Sequence, residues 1–484
     1  MAVHDKSKYA KPPEDQMNKN FTPNVLKNSD QNTQNMLEDE ASLAQIWSEF
    51  AFNTSAETIP GNVKSQAKYF ILDALGTAFA CQSQPFVSAI YSGLASMPEP
   101  ATHSIIGKQT KLSLRNAAIM NGALIHGLDF DDTHLKAVVH GTAATLPGVL
   151  VMGETCDAPG KELLRAYILG MELCIRIGMA ANFGFHENGM HATGIVSHFS
   201  SALTSGLLLG LSAEHLAMAL GLVGSTAQGS QQFVDDGAWN KRFHPGWGAA
   251  AGITAAYLAA SNFRAPKRVF EGRYGLFTNL TSAHTQPDIS AITNDLGIDW
   301  SFISSAIKPY PTCHFTHALI DAALILRKNP ACRLEQIESI DIHMPEEVIP
   351  IIAEPTERKK QPGNEYDAKF SAPYVVATAL QRGQFGLKEL HEEALRDPRS
   401  IALSMRTCCI PQKQTEFPKV YPGGVTIKFY DGSTLSHYEQ INRGAEERAL
   451  SHHEIFEKFL QNASMFLSTS LSLRFGGNVQ TPLG

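Results

Sequence analysis

A chain of 484 residues is roughly twice the size at which one hydrophobic core stops growing, so two or three domains are expected. Its 40 Lys and Arg against 47 Asp and Glu leave a net charge of −7, which excludes the basic excess of a nucleic-acid binder, and 43% hydrophobic residues describe an ordinary soluble globular chain. Seven cysteines without a C-x-x-C pair argue against a disulfide framework or a zinc ribbon and for a reducing compartment, while eighteen histidines, several of them clustered, ask for an explanation.

Residues 1–40 are rich in Lys, Asn, Asp, Gln and Pro and read as a disordered tail. They lack the apolar run of a signal peptide, and Asp5, Glu14 and Asp15 without any Arg argue against a transit peptide. The best apolar run, 203–224, is interrupted by Glu214 and His215, so no membrane span is expected. The expected location is cytoplasmic, with a mitochondrial one left open. From Ser42 to about Phe263, apolar residues at three- and four-residue spacing predict helices over 42–51, 62–82, 114–127, 161–181, 194–211, 213–228 and 246–261. Gly246–Ala260 has almost no polar face and should be buried on all sides.

After about residue 300 the character changes. Ile337–Met344 alternates as a strand does, and Val425–Tyr430, Asp431-Gly432 and Thr434–Tyr438 form a hairpin signal with a type I′ turn. Helices return at 314–328 and 372–382, and a final one at 451–468 should pack back on the helical part. The expected fold is mainly α: a large discontinuous helical domain (41–304 and 436–484) with a smaller α+β domain at 305–435.

Motif searches for dinucleotide, nucleotide and hydrolase sites fail: there is no G-x-G-x-x-G, Walker A or G-x-S-x-G. His186-Glu187-Asn188-Gly189-Met190-His191 is one residue too long for the H-E-x-x-H zinc signature. His314 and His317 share a helix face but have no acidic or thiol partner in place, so no metal is expected.

Two patterns carry chemistry. In Asn121–His140, a helix over 121–133 would put Asp129, Asp132 and Thr133 on one face, with Asp131 pointing elsewhere. Acids at a helix C-terminus oppose the macrodipole, and apolar Ala123, Leu124, Leu128 and Phe130 surround them where a solvated acidic end would be polar. Secondly, four helices begin near a reactive side chain: His191 before Thr193-Gly194, Lys241 and His244 before Pro245-Gly246, Cys313 and His314 after Pro311-Thr312, and Tyr374 after Ser371-Ala372-Pro373. Helix N-termini favour anions, so the set suits a small polycarboxylate. Singly, each histidine reads as an ordinary hydrogen-bonded residue; their recurrence at helix starts is what points to function. A base near neutrality and fixed positive charge are what abstraction of a proton next to a carboxylate requires. Proton transfer, elimination or decarboxylation of a small carboxylate is the natural class, and hydride transfer is not.

At these residues the sequence resembles the MmgE/PrpD family, which includes 2-methylcitrate dehydratases, cis-aconitate decarboxylases and iminodisuccinate epimerases. The resemblance runs from about Ala44 to Leu467 through Leu128–Thr133, His140, Gly189–Gly194, Lys241–Gly246, Lys308-Pro309-Tyr310-Pro311 and Asp367–Tyr374. It implies a homodimer, a helical domain built from both chain ends, an α+β lid, and a cleft between them that needs no metal or organic cofactor. It also implies that Asp129, Thr133, His140, His191, Lys241 and Tyr374 line the pocket. Catalytic roles are expected for His140, His191, Lys241, Tyr374 and Asp129, and substrate binding for Thr133, His244, Cys313 and His314. His140-Gly141-Thr142 departs from the family's His-Pro-Ser, and either Cys313 or His314 stands opposite the histidine of the decarboxylases. The implied activity is that of a lyase on a di- or tricarboxylate. An epimerase, or a non-catalytic carboxylate binder, is the alternative.

Overall fold

Ser42 opens the first helix through a capping box: its hydroxyl accepts from the Gln45 amide while the Gln45 side chain accepts from the Ser42 amide. The computed structural model describes residues 40–444 and 446–468, so the tail expected over 1–40 lies outside the described residues except for Glu40. Among the helices that follow from Ser42 are α1 (Leu43–Asn53), α2 (Gly61–Ala80), α3 (Leu114–His126), α4 (Gly141–Cys156), α5 (Gly160–Ala180), α6 (Ala192–Leu208), α7 (Ala213–Val223) and α8 (Asn240–Ala260). None of the described helices is long and apolar enough to cross a membrane.

The Gly/Ala-rich α8 packs closely through its glycines but is not buried on all sides as expected: Trp247, Tyr257 and Leu258 are exposed on its outer face. A Cβ on Gly246 would lie 2.4 Å from the Ile119 carbonyl oxygen on α3, and one on Gly252 would lie 2.5 Å from the Ala202 amide on α6. Only hydrogen fits between these backbones, so α8 is clamped between α3 and α6. It begins at Asn240, six residues earlier than Pro245-Gly246 suggests. Arg242 donates to the Gly127 carbonyl (2.9 Å) and Lys241 pairs with Asp129 (2.8 Å), and these anchors offset the helical bond that Pro245 forfeits. α4 was not expected: Pro147 and three glycines interrupt its periodicity, yet its first thirteen residues include twelve that are buried. The helix Pro85–Ala95 was likewise unread.

The second half builds on α9 (His317–Lys328), β1 (Ile337–Pro345), α10 (Ala372–Arg382), β2 (Thr407–Gln412), β3 (Gly423–Phe429) and β4 (Thr434–Glu439). The sheet order is β2-β1-β3-β4, with β1 parallel to β2 and antiparallel to β3. The β3–β4 hairpin forms, but not through a type I′ turn. The Gly432 amide closes onto the Phe429 carbonyl, and Gly432 alone takes positive φ (81°), because Asp431 instead accepts from the Ser433 amide. The chain ends its described course in α11 (His452–Ala463), whose Ile455 and Phe459 join the apolar core of the N-terminal helices. A second apolar core gathers Tyr310 to Phe429 around the sheet, α9 and α10. The fold is mainly α with a small α+β part, as expected.

Candidate active site

The helix expected over 121–133 stops at His126, and Asp129 takes left-handed backbone angles (φ 55°). Its carboxylate therefore leaves the helical face predicted for it. The reason lies in four consecutive carbonyls just past α3, each receiving a side-chain cation. Arg242 donates to Gly127 (2.9 Å), Lys369 to Leu128, Lys308 to Asp129 and Lys458 to Phe130 (each 2.8 Å). The negative end of a helix dipole collects positive charge, which offsets the three acids of Asp129, Asp131 and Asp132.

Asp129 Oδ1 accepts from Lys241 (2.8 Å) and Lys308 (2.9 Å) and lies 3.5 Å from His140 Nε2. Burial by itself would raise its pKa, yet Lys241 and Lys308 hold it well below the usual carboxylate range. Asp131 does not point away as expected. With the helix ended, it turns inward, and its Oδ2 lies 2.9 Å from Nδ1 of His126 and 3.3 Å from Nδ1 of His140. Burial opposes its charge, but the two imidazoles keep Asp131 well below its ordinary value. An ionised Asp131 requires a proton on each facing Nδ1, so His140 presents Nε2 as its free base atom. Burial pushes His140 down to about 4, with Asp131 opposing and Lys308 adding to the shift, which keeps the ring neutral near pH 7. Thr133 supports the same ring, with its hydroxyl 3.3 Å from Nδ1.

His191 caps α6, and its Nδ1 lies 3.0 Å from Nδ1 of His244. Burial, followed by the neighbouring His244, takes His191 well below 6.5. Asp129, Thr133, His140, His191, Lys241, Lys308, Cys313 and His314 all line one cavity of about 670 Å³. Both residues left open at the α9 entrance thus face it. Cys313 presents a thiol whose pKa burial raises, whereas His314 Nε2 is taken by Asn442 (2.7 Å). His244 stands behind His191 and is not part of the cavity wall.

Tyr374 departs from expectation. It does occupy the first turn of α10, but its side chain is fully buried and its hydroxyl donates to the Glu389 carbonyl (2.7 Å), away from the cavity. Three residues escaped the sequence reading. Lys308 lay in the Lys-Pro-Tyr-Pro motif without a role, while Asp131 and His126 depended on where α3 ends. His126, Asp131 and His140 are also the one group of metal-ligand type found among the described residues. Asp131 Oδ2 is hydrogen-bonded to His126 Nδ1 at 2.9 Å and lies 3.3 Å from His140 Nδ1, so an ion would have to displace the His126 bond.

Comparison with known proteins gives the family. The MmgE/PrpD N-terminal domain matches residues 45–289 and the MmgE/PrpD C-terminal domain residues 310–475. A cis-aconitate decarboxylase of Aspergillus terreus is 27% identical over 422 residues, covering 82% of this chain and 84% of the relative. The cis-aconitate decarboxylase of Homo sapiens is 27% identical over 428 residues (84% of each), and a 2-methylcitrate dehydratase of Salmonella typhimurium 22% over 427 (82% and 85%). With the two domains matched along nearly all of its described length, this chain belongs to the MmgE/PrpD family.

Proposed function

We propose that the protein is a lyase that dehydrates or decarboxylates a small tricarboxylate, using its own side chains for positive charge and proton transfer. The observation that carries this reading is the convergence of two ammonium groups, Lys241 and Lys308, on a single carboxylate, that of Asp129, inside the cavity, with His140 Nε2 3.5 Å away. A substrate carboxylate placed beside them meets the same two ammonium donors. The relatives named for cis-aconitate decarboxylation and 2-methylcitrate dehydration support the choice of substrate class.

Both reactions pass through electron density built up next to a carboxylate, which the two ammonium groups stabilise. In dehydration, a neutral histidine takes the C–H proton, the C–O bond breaks, and the hydroxyl leaves as water with a proton from a second imidazole. In decarboxylation, the C–C bond to the departing carboxylate breaks, carbon dioxide leaves, and a histidine delivers a proton to carbon. His140 and His191 fill these proton roles, and Lys241 and Lys308 hold carboxylates. The incoming negative charge raises the pKa of both imidazoles from their depressed resting state and so loads the donor. Thr133 and Asp129 position these groups, and Tyr374 has no part in the chemistry.

A homodimer belongs to the same reading. The outer face of α8 carries Phe243 stacked on Trp247 (5.4 Å), then Tyr257 and Leu258; Trp247, Tyr257 and Leu258 are each more than a third exposed. An apolar stripe of this kind suits a second copy. Light scattering should report two chains, and a single-chain mass would refute the dimer.

Proton NMR of the protein with cis-aconitate, 2-methylcitrate or iminodisuccinate in heavy water tests the function. Loss of carbon dioxide or a new alkene supports the lyase. Deuterium uptake with inversion of iminodisuccinate would replace it with epimerisation, and binding without turnover would leave a carboxylate binder.

A further inference from the structure

The lysines and histidines account for only part of the cavity. The same hollow is lined by Val138, Phe183, Phe233, Val234, Ile351 and Phe370. Phe370 lies beside the charged groups, with the Lys241 ammonium 5.8 Å from its ring centre, and Phe233 meets the edge of His191 at 5.9 Å. From Phe370 the apolar wall of this hollow continues past Ile351 and Val234, which with Pro350 also border an adjoining hollow of about 260 Å³ whose far side is charged, with Glu354, Arg358 and Asp367. The first hollow alone has room for roughly twenty water-sized groups at ~30 Å³ each, against about twelve non-hydrogen atoms in a six-carbon tricarboxylate.

Two of these residues are held at a cost. Among the described residues, seven that are not glycine take positive φ; five are Asp or Asn, and the other two are Val138 (51°) and Phe183 (68°). A β-branched and an aromatic residue are the least suited to that conformation, and both present apolar side chains to this one cavity. Charge is polarised as well. The cations Lys241 and Lys308 are buried around a single buried acid, Asp129, whereas the other lining acids, Asp235 and Glu347, are exposed. A further carboxylate would be repelled toward the mouth, and an uncharged group would not.

We propose that this apolar region is a subsite for a hydrocarbon substituent, so that the preferred substrate is a polycarboxylate bearing an alkyl chain of several carbons. The inference rests on the lyase reading above and deepens it. The test is turnover by the full chain of cis-aconitates carrying hydrogen, methyl, butyl or hexyl on the carbon skeleton. Each methylene that enters the subsite should raise kcat/KM by about fourfold, giving at least a tenfold gain from the parent to the butyl compound. Phe183→Ala with Ile351→Ala should flatten that dependence. A kcat/KM that stays level or falls with chain length overturns the subsite while leaving the lyase standing. Turnover of no member of the series overturns both. The series on the unaltered protein decides the matter even if the double variant fails to fold.

Discussion

Asp131 shows how one residue sets the chemistry of others. Its Oδ2 faces Nδ1 of both His126 and His140, so it fixes which nitrogen of His140 is left bare for the substrate. Asp131→Asn keeps the shape but removes the charge that selects this tautomer, and kcat should fall about 10²-fold or more, the scale of orienting carboxylates behind a catalytic histidine. Steady-state kinetics with a pH profile checks this; an unchanged kcat would remove Asp131 from the mechanism. The residue was visible in the Asp-Phe-Asp-Asp motif, but a helical period carried through to 133 turned its side chain outward. His191 and Lys241 were legible because helix-start signals do not depend on that boundary, whereas Asp129 came from the same helical period and His140 only from the family resemblance. Tyr374 was legible only as a position. Its place in the first turn of α10 follows from Ser371 and Pro373, whereas the partner of its hydroxyl, the Glu389 carbonyl, lies in another segment and leaves no local trace.

At the scale of elements, the segment after α3 is held by cations from four distant parts of the chain. Lys458 arrives on α11, donates to the Phe130 carbonyl and pairs with the buried Asp73 of α2 at 2.8 Å. Burial pushes the Asp73 carboxyl up and the Lys458 ammonium down, each opposed by the other's charge, so the pair is costly to keep and more costly to break. Lys458→Met should destabilise the fold by about 3 kcal/mol, and Asp73→Leu in the same chain should restore part of the loss. Urea unfolding of both variants measures this. A loss below about 0.5 kcal/mol, the range of ordinary surface substitutions, would show that α11 does not hold the segment. The helices with strong apolar periods were readable at this scale. α4 was not, because a helix buried nearly all round needs no amphipathic pattern, and Pro147 inside it reads as a helix breaker.

For the whole molecule, the mainly α fold followed from periodicity in the first half and from alternation and a hairpin signal in the second. The eighteen histidines gain a thermodynamic meaning as well as a local one. His134, His140, His198 and His244 are all pushed down to about 4, with burial the largest cause in each. Between pH 6.5 and 4 the unfolded chain binds their protons while the folded chain does not, so these four rings lower stability as the pH drops through that window, opposed in part by Asp132, which burial raises to about 7. The lowered carboxylate of Asp129 adds a loss only further down, below 3.8. A thermal midpoint that stays level from pH 6.5 to 4 would refute the buried, neutral state of these rings. The central claim is that the lysines now paired with Asp129 receive a substrate carboxylate. Calorimetric titration of tricarballylate, a saturated tricarboxylate that cannot react, tests it most directly when the unaltered protein is compared with Lys308→Ala. Binding to the unaltered protein that weakens by about tenfold or more in the variant is the predicted result, and equal affinity for both would contradict the account.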